Sequence, residues 1–219
     1  KSMLRRIAKI AVPSILQQSF VSVGNIFIQS LVNSFGSAVI AGYSAAIKLN
    51  TFTITSFSTL GNALSSFSAQ NIGAAKIDRV RKGFRAGTML AWIIAVPFFV
   101  LFFFFGNEML RIFMENPTGG AMKAGMAFLK IVSPFYFIIS LKLLADGLLR
   151  GSSAMIGFMV STFTDLILRV ILAYVFAGLF GSTGIWMSWP VGWSISAIIS
   201  LLFYRYTWKQ LSVERRLLK

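Results

Sequence analysis

Along the chain, runs of twenty or more mostly apolar residues alternate with short polar or charged breaks. A helix needs about 20 such residues to cross the hydrocarbon core of a bilayer. Six stretches meet that length, approximately 10–35, 38–71, 84–105, 122–149, 155–180 and 184–206. The second is more weakly apolar than the third, which contains FFVLFFFF, because it holds Lys48 and many Ser and Thr. Spans as long as the fourth are expected to tilt or to extend beyond the bilayer. The pattern predicts an all-α membrane protein, a single bundle of six transmembrane helices.

Within the first span Gln18, Ser22, Asn25, Gln29 and Asn33 recur at intervals of three and four, the period of an α-helix, so they share one face. The second span repeats the device with Thr51, Thr55, Ser58 or Thr59, Asn62 and Ser65 or Ser66. Groups that need hydrogen bonds do not face acyl chains. Such stripes turn either toward other helices, as polar glue, or toward a water-filled cavity. Large amides in a five-member row favour the cavity, with Gln18, Ser22, Asn25, Gln29, Thr51, Thr55 and Asn62 as its lining.

Charge fixes an expected orientation. The chain carries 21 Lys and Arg against six Asp and Glu, a net charge of +15. In a soluble protein that excess would point to nucleic acid. Here 15 of the 21 bases fall in alternate segments: before the first span, between the second and third, after the fourth and after the sixth. Loops rich in Lys and Arg stay in the cytoplasm. Both termini are therefore expected on that side of a plasma membrane, the bacterial inner membrane, and no nucleic-acid partner is called for. On the opposite side, 107–116 reads as an amphipathic segment with Met109, Leu110, Phe113 and Met114 on one face, closed by Pro117. Trp186 and Trp189 are expected in an aromatic belt at the outer start of the last span, Trp208 at its inner end, and Trp193 in lipid or helix packing.

Composition narrows the chemistry. Hydrophobic residues make up 56% of the chain and charged ones 12%, and there is no Cys or His. Thiolate and imidazole chemistry is excluded, and no cluster of carboxylates suggests an enzyme. Ionisable residues at membrane depth are costly and so draw attention as functional. Lys142 with Asp146, and Asp165 with Arg169, each stand one helical turn apart, where a same-helix ion pair can form. Asp146, Asp165 and Arg169 are the candidates for coupling an ion to transport.

The segment SFSAQNIGAAKIDRVRKGFR strongly resembles the multidrug and toxic compound extrusion (MATE) family, whose AQNxGA signature is matched by Ala69, Gln70, Asn71, Gly73 and Ala74. DGLLRGSSA is similar to the family's GxLRGxG pattern at Gly147, Leu149, Arg150 and Gly151, with Ser153 in place of the last Gly. STGIWMSWP, Pro13 and FMENP fit as well. The resemblance implies a two-lobe antiporter with a central cavity that exports organic cations and other amphiphiles in exchange for H⁺ or Na⁺, without a cofactor. It matches this chain to the C-terminal lobe and implies a partner, either an N-terminal six-helix lobe or a second copy. A chain that begins without Met and carries one signature is expected to start inside a longer one. KSMLRRIAK is not read as a signal peptide, because Pro13, Gln17 and Gln18 interrupt the apolar run that follows. Some branches of the family place acids near the positions of Val21 and of Ile139 or Ser140, where this sequence has none, so coupling is expected in the other lobe. A flippase for lipid-linked precursors and a non-transporting scaffold are the alternatives.

Overall fold

The computed structural model describes residues 2–114 and 118–217, and almost all of them are helical. In order they form α1 (Ser2–Asn33), α2 (Ser37–Gly73), α3 (Ile77–Phe104), α4 (Gly106–Arg111), α5 (Gly119–Val132), α6 (Tyr136–Gly151), α7 (Met155–Phe180) and α8 (Ser182–Leu217). Pro134 lacks an amide hydrogen and clashes with the preceding turn. The chain answers with a 3₁₀ turn, Ser133–Phe135, and α5 and α6 run on as one segment from Gly119 to Gly151. Lys1, Glu115, Asn116, Pro117, Leu218 and Lys219 lie outside the described residues, and so do the side chains of the other basic residues before Ala11 and after Leu211. The expected closing proline of the external segment is among these.

Five described segments are long and apolar enough to cross a membrane: Ala11–Asn33, Ile77–Phe104, Gly119–Gly151, Met155–Phe180 and Ser182–Leu211. The remaining expected span, α2, has the length, since 37 residues rise about 55 Å, but its Ser, Thr and Asn keep it below that apolar level. The basic segment expected as a loop before the third span is mostly the first turns of α3; only Ala74, Ala75 and Lys76 separate α2 from α3. The external segment is helical from Gly106 to Arg111, and it buries Leu110 completely. The outer faces of α3, α7 and α8 stay apolar, with Ile93 66% and Ile156 76% exposed. An exposed apolar surface of this extent belongs against lipid.

Inside the bundle α2 packs along α5 and α6, α8 lies against α5, α6 and α7, α3 covers α2 and α6, and α1 leans mainly on α7. Lipid tails are as apolar as leucine, so close backbone contact has to hold such helices together. Glycines make it possible. A Cβ added to Gly147 would strike the carbonyl oxygen of Gly61, one on Gly151 that of Ser65, and one on Gly42 that of Ala121. Two residues of the second motif, Gly147 and Gly151, are therefore the contact points of α6 on α2.

Both motifs also end their helices in the same way. After α2 the Lys76 amide donates to the Asn71 carbonyl over 2.8 Å, with Ala75 at φ 55°; after α6 the Ala154 amide donates to the Leu149 carbonyl over 2.8 Å, with Ser153 at φ 61°. This is the left-handed helix stop that glycine fills most easily. Ser153 occupies the place where the motif expects that glycine.

Trp186 and Trp189 depart from the expected belt, while Trp193 is in helix packing. Trp186, Trp189 and Trp193 are all buried: Trp186 stacks on Tyr43 with ring centroids 5.0 Å apart, and Phe128 meets both Trp186 and Trp189 edge-on. Lying on the face of α8 that meets α2 and α5, they form the aromatic centre of the core.

A buried polar knot ties α6, α7 and α8. Lys142 Nζ pairs with Asp146 Oδ2 at 2.6 Å, and Asp146 Oδ1 accepts from the hydroxyls of Ser161 (3.0 Å) and Ser200 (2.6 Å). Both charged side chains are almost fully buried.

Three outcomes follow for the unfolding of the protein in detergent, followed by helical circular dichroism. Gly147→Leu is expected to destabilise by about 1–3 kcal/mol through overpacking, while Gly178→Leu, with open space around it, keeps the wild-type midpoint. Ser153→Gly is expected to stabilise by about 1 kcal/mol, because it relieves the left-handed conformation, whereas Ser152→Gly does not. Lys142→Met is expected to cost about 3–5 kcal/mol by leaving Asp146 buried without its cation, and the double change with Asp146→Leu to recover most of that loss.

Candidate functional site

The polar faces of α1 and α2 meet over a cavity of about 510 Å³. From α1 it is lined by Gln17, Gln18, Val21, Asn25 and Gln29, and from α2 by Asn50, Thr51, Thr55 and Ser58 together with Tyr43, Ile47 and Ile54. The floor comes from α6 (Ile139, Lys142, Leu143) and α7 (Thr162, Asp165, Arg169), and Trp189 and Trp193 of α8 close one side. A second space of about 210 Å³ shares Gln17, Gln18, Ser58, Lys142, Leu143 and Thr162 with the first and continues to Asn62, Asp146, Arg150 and Phe158. Together they form a polar passage from the aromatic centre to the end of α6.

Gln18, Asn25 and Gln29 line the larger cavity, with Gln29 Nε2 also donating to Asn33 Oδ1 at 2.8 Å. Thr51 and Thr55 join them from α2. Ser22, a member of the same row, lines neither space; its hydroxyl donates to the Gln18 carbonyl at 3.1 Å, satisfied within its own helix. Asn62 is in the smaller space, where its Oδ1 accepts from Arg150 Nη2 at 2.8 Å. Arg150 also lies over the Phe158 ring, 5.2 Å from its centroid. The motif arginine is thereby bound to α2 and α7, and it borders the passage.

The two intramembrane acid–base pairs behave differently. Lys142 and Asp146 form the ion pair that their spacing allows. Asp165 and Arg169 do not. Arg169 is turned onto Trp189, its guanidinium carbon 4.6 Å from the ring centroid, and its Nε has no hydrogen-bond partner. Asp165 Oδ1 is buried without one, close against Gly192, where an added Cβ would come within 2.7 Å of it. Thr162 Oγ1 and Trp189 Nε1 are also buried without partners on the same side of the cavity. The reason lies on α8: Gly192 lets the helix approach the carboxylate, and Trp189 offers the guanidinium a π-face that competes with the acid one turn away.

Several lining residues escape a reading by polar periodicity. Tyr43, Trp189 and Trp193 face the cavity from helices whose aromatic residues look like belt or core, and Asn50 and Gln17 stand one position off the expected stripes. Lys142 borders both spaces. Val21 and Ile139, where some MATE branches carry acids, do line the larger cavity, and both are apolar; Ser140 is buried and donates to the Phe137 carbonyl at 2.9 Å. Of the first motif, Ala69, Gln70, Gly73 and Ala74 are exposed at the end of α2, outside both spaces. Asn71 Nδ2 donates to the Phe67 carbonyl at 2.8 Å, so this motif shapes a helix end.

Known proteins are similar to this chain. The sequence profile of the MatE family matches residues 13–175. A curated relative from Bacillus subtilis (strain 168), "Probable multidrug resistance protein YpnP", is 29% identical over 212 residues, which are 94% of this chain and 46% of the relative. A second from the same organism, "Probable multidrug resistance protein YoeA", is 24% identical over 218 residues, 98% of this chain and 47% of the relative. A solved structure of a MATE protein in a bent conformation superposes with a TM-score of 0.90 at 17% identity, covering 99% of this chain and 48% of that one. The chain spans about half the length of the relatives it matches. With the family profile covering most of the helical bundle and the second signature segment seated at the α2–α6 contact, the chain belongs to the MATE (MatE) family of membrane transport proteins.

Proposed function

We propose that this chain is the C-terminal six-helix lobe of a multidrug efflux antiporter in the bacterial inner membrane, with both termini cytoplasmic. Its role is to supply one wall of a central substrate cavity for amphiphilic or cationic compounds. The observation that carries this reading is the 510 Å³ space itself. Amides and hydroxyls on α1 and α2 face aromatic rings on α8, so the space offers hydrogen bonds and apolar area without a single dominant charge. The other wall comes from a second lobe, either an N-terminal six-helix half or another copy, and rocking of the two lobes exposes the cavity to each side in turn.

The lobe contains carboxylates that an exchanged H⁺ or Na⁺ can meet. Asp146 is paired with Lys142 and accepts from Ser161 and Ser200. Asp165 is not, and it borders the cavity with Arg169. Of the candidates, Asp165 is the group open to exchange, and Asp146 serves the packing of α6, α7 and α8.

Efflux of ethidium from vesicles holding the assembled two-lobe transporter tests the cavity. Each lost amide hydrogen bond is worth about 1 kcal/mol, so joint replacement of Gln18, Asn25 and Gln29 by Ala is expected to slow initial efflux by roughly tenfold or more. Ser22→Ala, off the cavity, is expected to have no effect. Wild-type rates for the triple variant at equal expression overturn the assignment.

A further inference from the structure

A buried carboxylate and a buried guanidinium that stand one turn apart and do not pair are an unusual expense inside a membrane protein. Asp165 is 8% exposed and Arg169 6%. Each keeps a buried polar atom without a partner, and both line the same cavity. Burying an ion without compensating hydrogen bonds is costly, and a polar ligand that supplies them recovers the cost. The nearby charges do not cancel either residue in some other way: Lys142 is held by Asp146, and Arg150 is held by Asn62 and Phe158. Among the described residues no acceptor meets Arg169 and no donor meets Asp165, although Asp165 Oδ1 itself is packed against Gly192 and both residues border the cavity.

The surroundings specify the rest of the guest. Trp189 covers one face of the guanidinium, and Trp193 meets Trp189 edge-on at 5.7 Å. Tyr43 lines the same space. A flat apolar or aromatic body fits against these rings. From this geometry we infer that Asp165 and Arg169 form a dipolar subsite and that Arg169 is a specificity-determining residue. The subsite takes ligands carrying both a cationic nitrogen, bound at Asp165, and an anionic oxygen group, bound at Arg169, next to an aromatic body. A ligand with positive charge alone satisfies the carboxylate but leaves the guanidinium uncompensated and repels it. The inference rests on the cavity reading above and narrows its substrate class.

Three matched probes separate the possibilities: benzylamine (cation only), benzoate (anion only) and 4-(aminomethyl)benzoate (both). Their binding to the protein in lipid nanodiscs is measured by calorimetry. A charge-assisted hydrogen bond distinguishes the probes, so the dipolar compound is expected to bind about tenfold or more tighter than either single-charge probe. Arg169→Met is expected to abolish that advantage over benzylamine, Arg169→Lys to restore part of it, and Asp165→Asn to remove the advantage over benzoate. Equal affinities of the three probes for the wild-type protein overturn the inference, since water then satisfies the subsite. So does a dipolar preference that survives both Arg169→Met and Asp165→Asn. The wild-type comparison needs no variant to fold. If benzylamine binds as well as the dipolar probe and the Gln18, Asn25 and Gln29 triple variant loses that binding, the subsite fails and the cavity stands. If no probe binds, both fail.

Discussion

The backbone of α2 lies directly on the backbones of α5 and α6, and the arrangement of polar groups in the lobe depends on this contact. It is made at Gly42 against Ala121, at Gly61 against Gly147 and at Ser65 against Gly151. In water, two helices are driven together by removing apolar surface from solvent. In lipid that drive is absent, and dispersion between closely fitted surfaces replaces it. With one side of α2 pressed against its neighbours by small residues, the side carrying Thr51, Thr55 and Ser58 is turned toward α1. The same seam brings Asn62 within reach of Arg150. A bulky residue at Gly147 would therefore move a cavity wall as well as loosen a helix pair.

The charges inside the bundle divide according to how each is compensated. Asp146 is surrounded by donors from three helices, an arrangement that lowers the cost of burial and fixes α6, α7 and α8 relative to one another. Arg150, at the end of α6, combines an amide oxygen with an aromatic face. Arg169 has the aromatic face of Trp189 but an Nε without a partner, and Asp165 carries an orphaned oxygen. Arg150 Nε is buried without a partner as well, so what sets Asp165 and Arg169 apart is that a carboxylate and a guanidinium one turn from each other stay unpaired beside the larger cavity.

Much of this was legible in the sequence. Hydropathy located the apolar stretches of the long helices, although α1 begins eight residues and α3 seven before the expected spans and α8 runs eleven beyond, and the three- and four-residue spacing of amides put them on one face of α1. The resemblance of AQNIGA and GLLRG to family motifs was equally informative. Spacing reports which residues share a face; it does not report what that face meets. The i, i+4 rule held for Lys142 and Asp146, where Ser161 and Ser200 reinforce the pair. It failed for Asp165 and Arg169, where Gly192 and Trp189 of another helix intervene. Ser22 kept the right phase, yet its hydroxyl was satisfied one turn back. The tryptophans near the start of α8 looked like an interfacial belt because position along a span says nothing of which side is covered; burial against Tyr43 and Phe128 is a tertiary fact.

The walls of the cavity are held with unequal strength. α2 is locked by its glycine contacts, and the α6–α8 floor by the knot at Asp146. α1 supplies Gln18, Asn25 and Gln29, yet it is attached chiefly to α7, where Gly24 admits Leu166 and Phe20 meets Phe163 edge-on at 5.2 Å. Val12, Ile15, Val23 and Ile26 on α1 remain about half exposed or more. Few buried contacts mean a small free-energy cost for displacement. The amides with the most adaptable hydrogen bonding thus sit on the wall that is cheapest to move, while the charged and aromatic groups that need fixed geometry sit on the floor that is not.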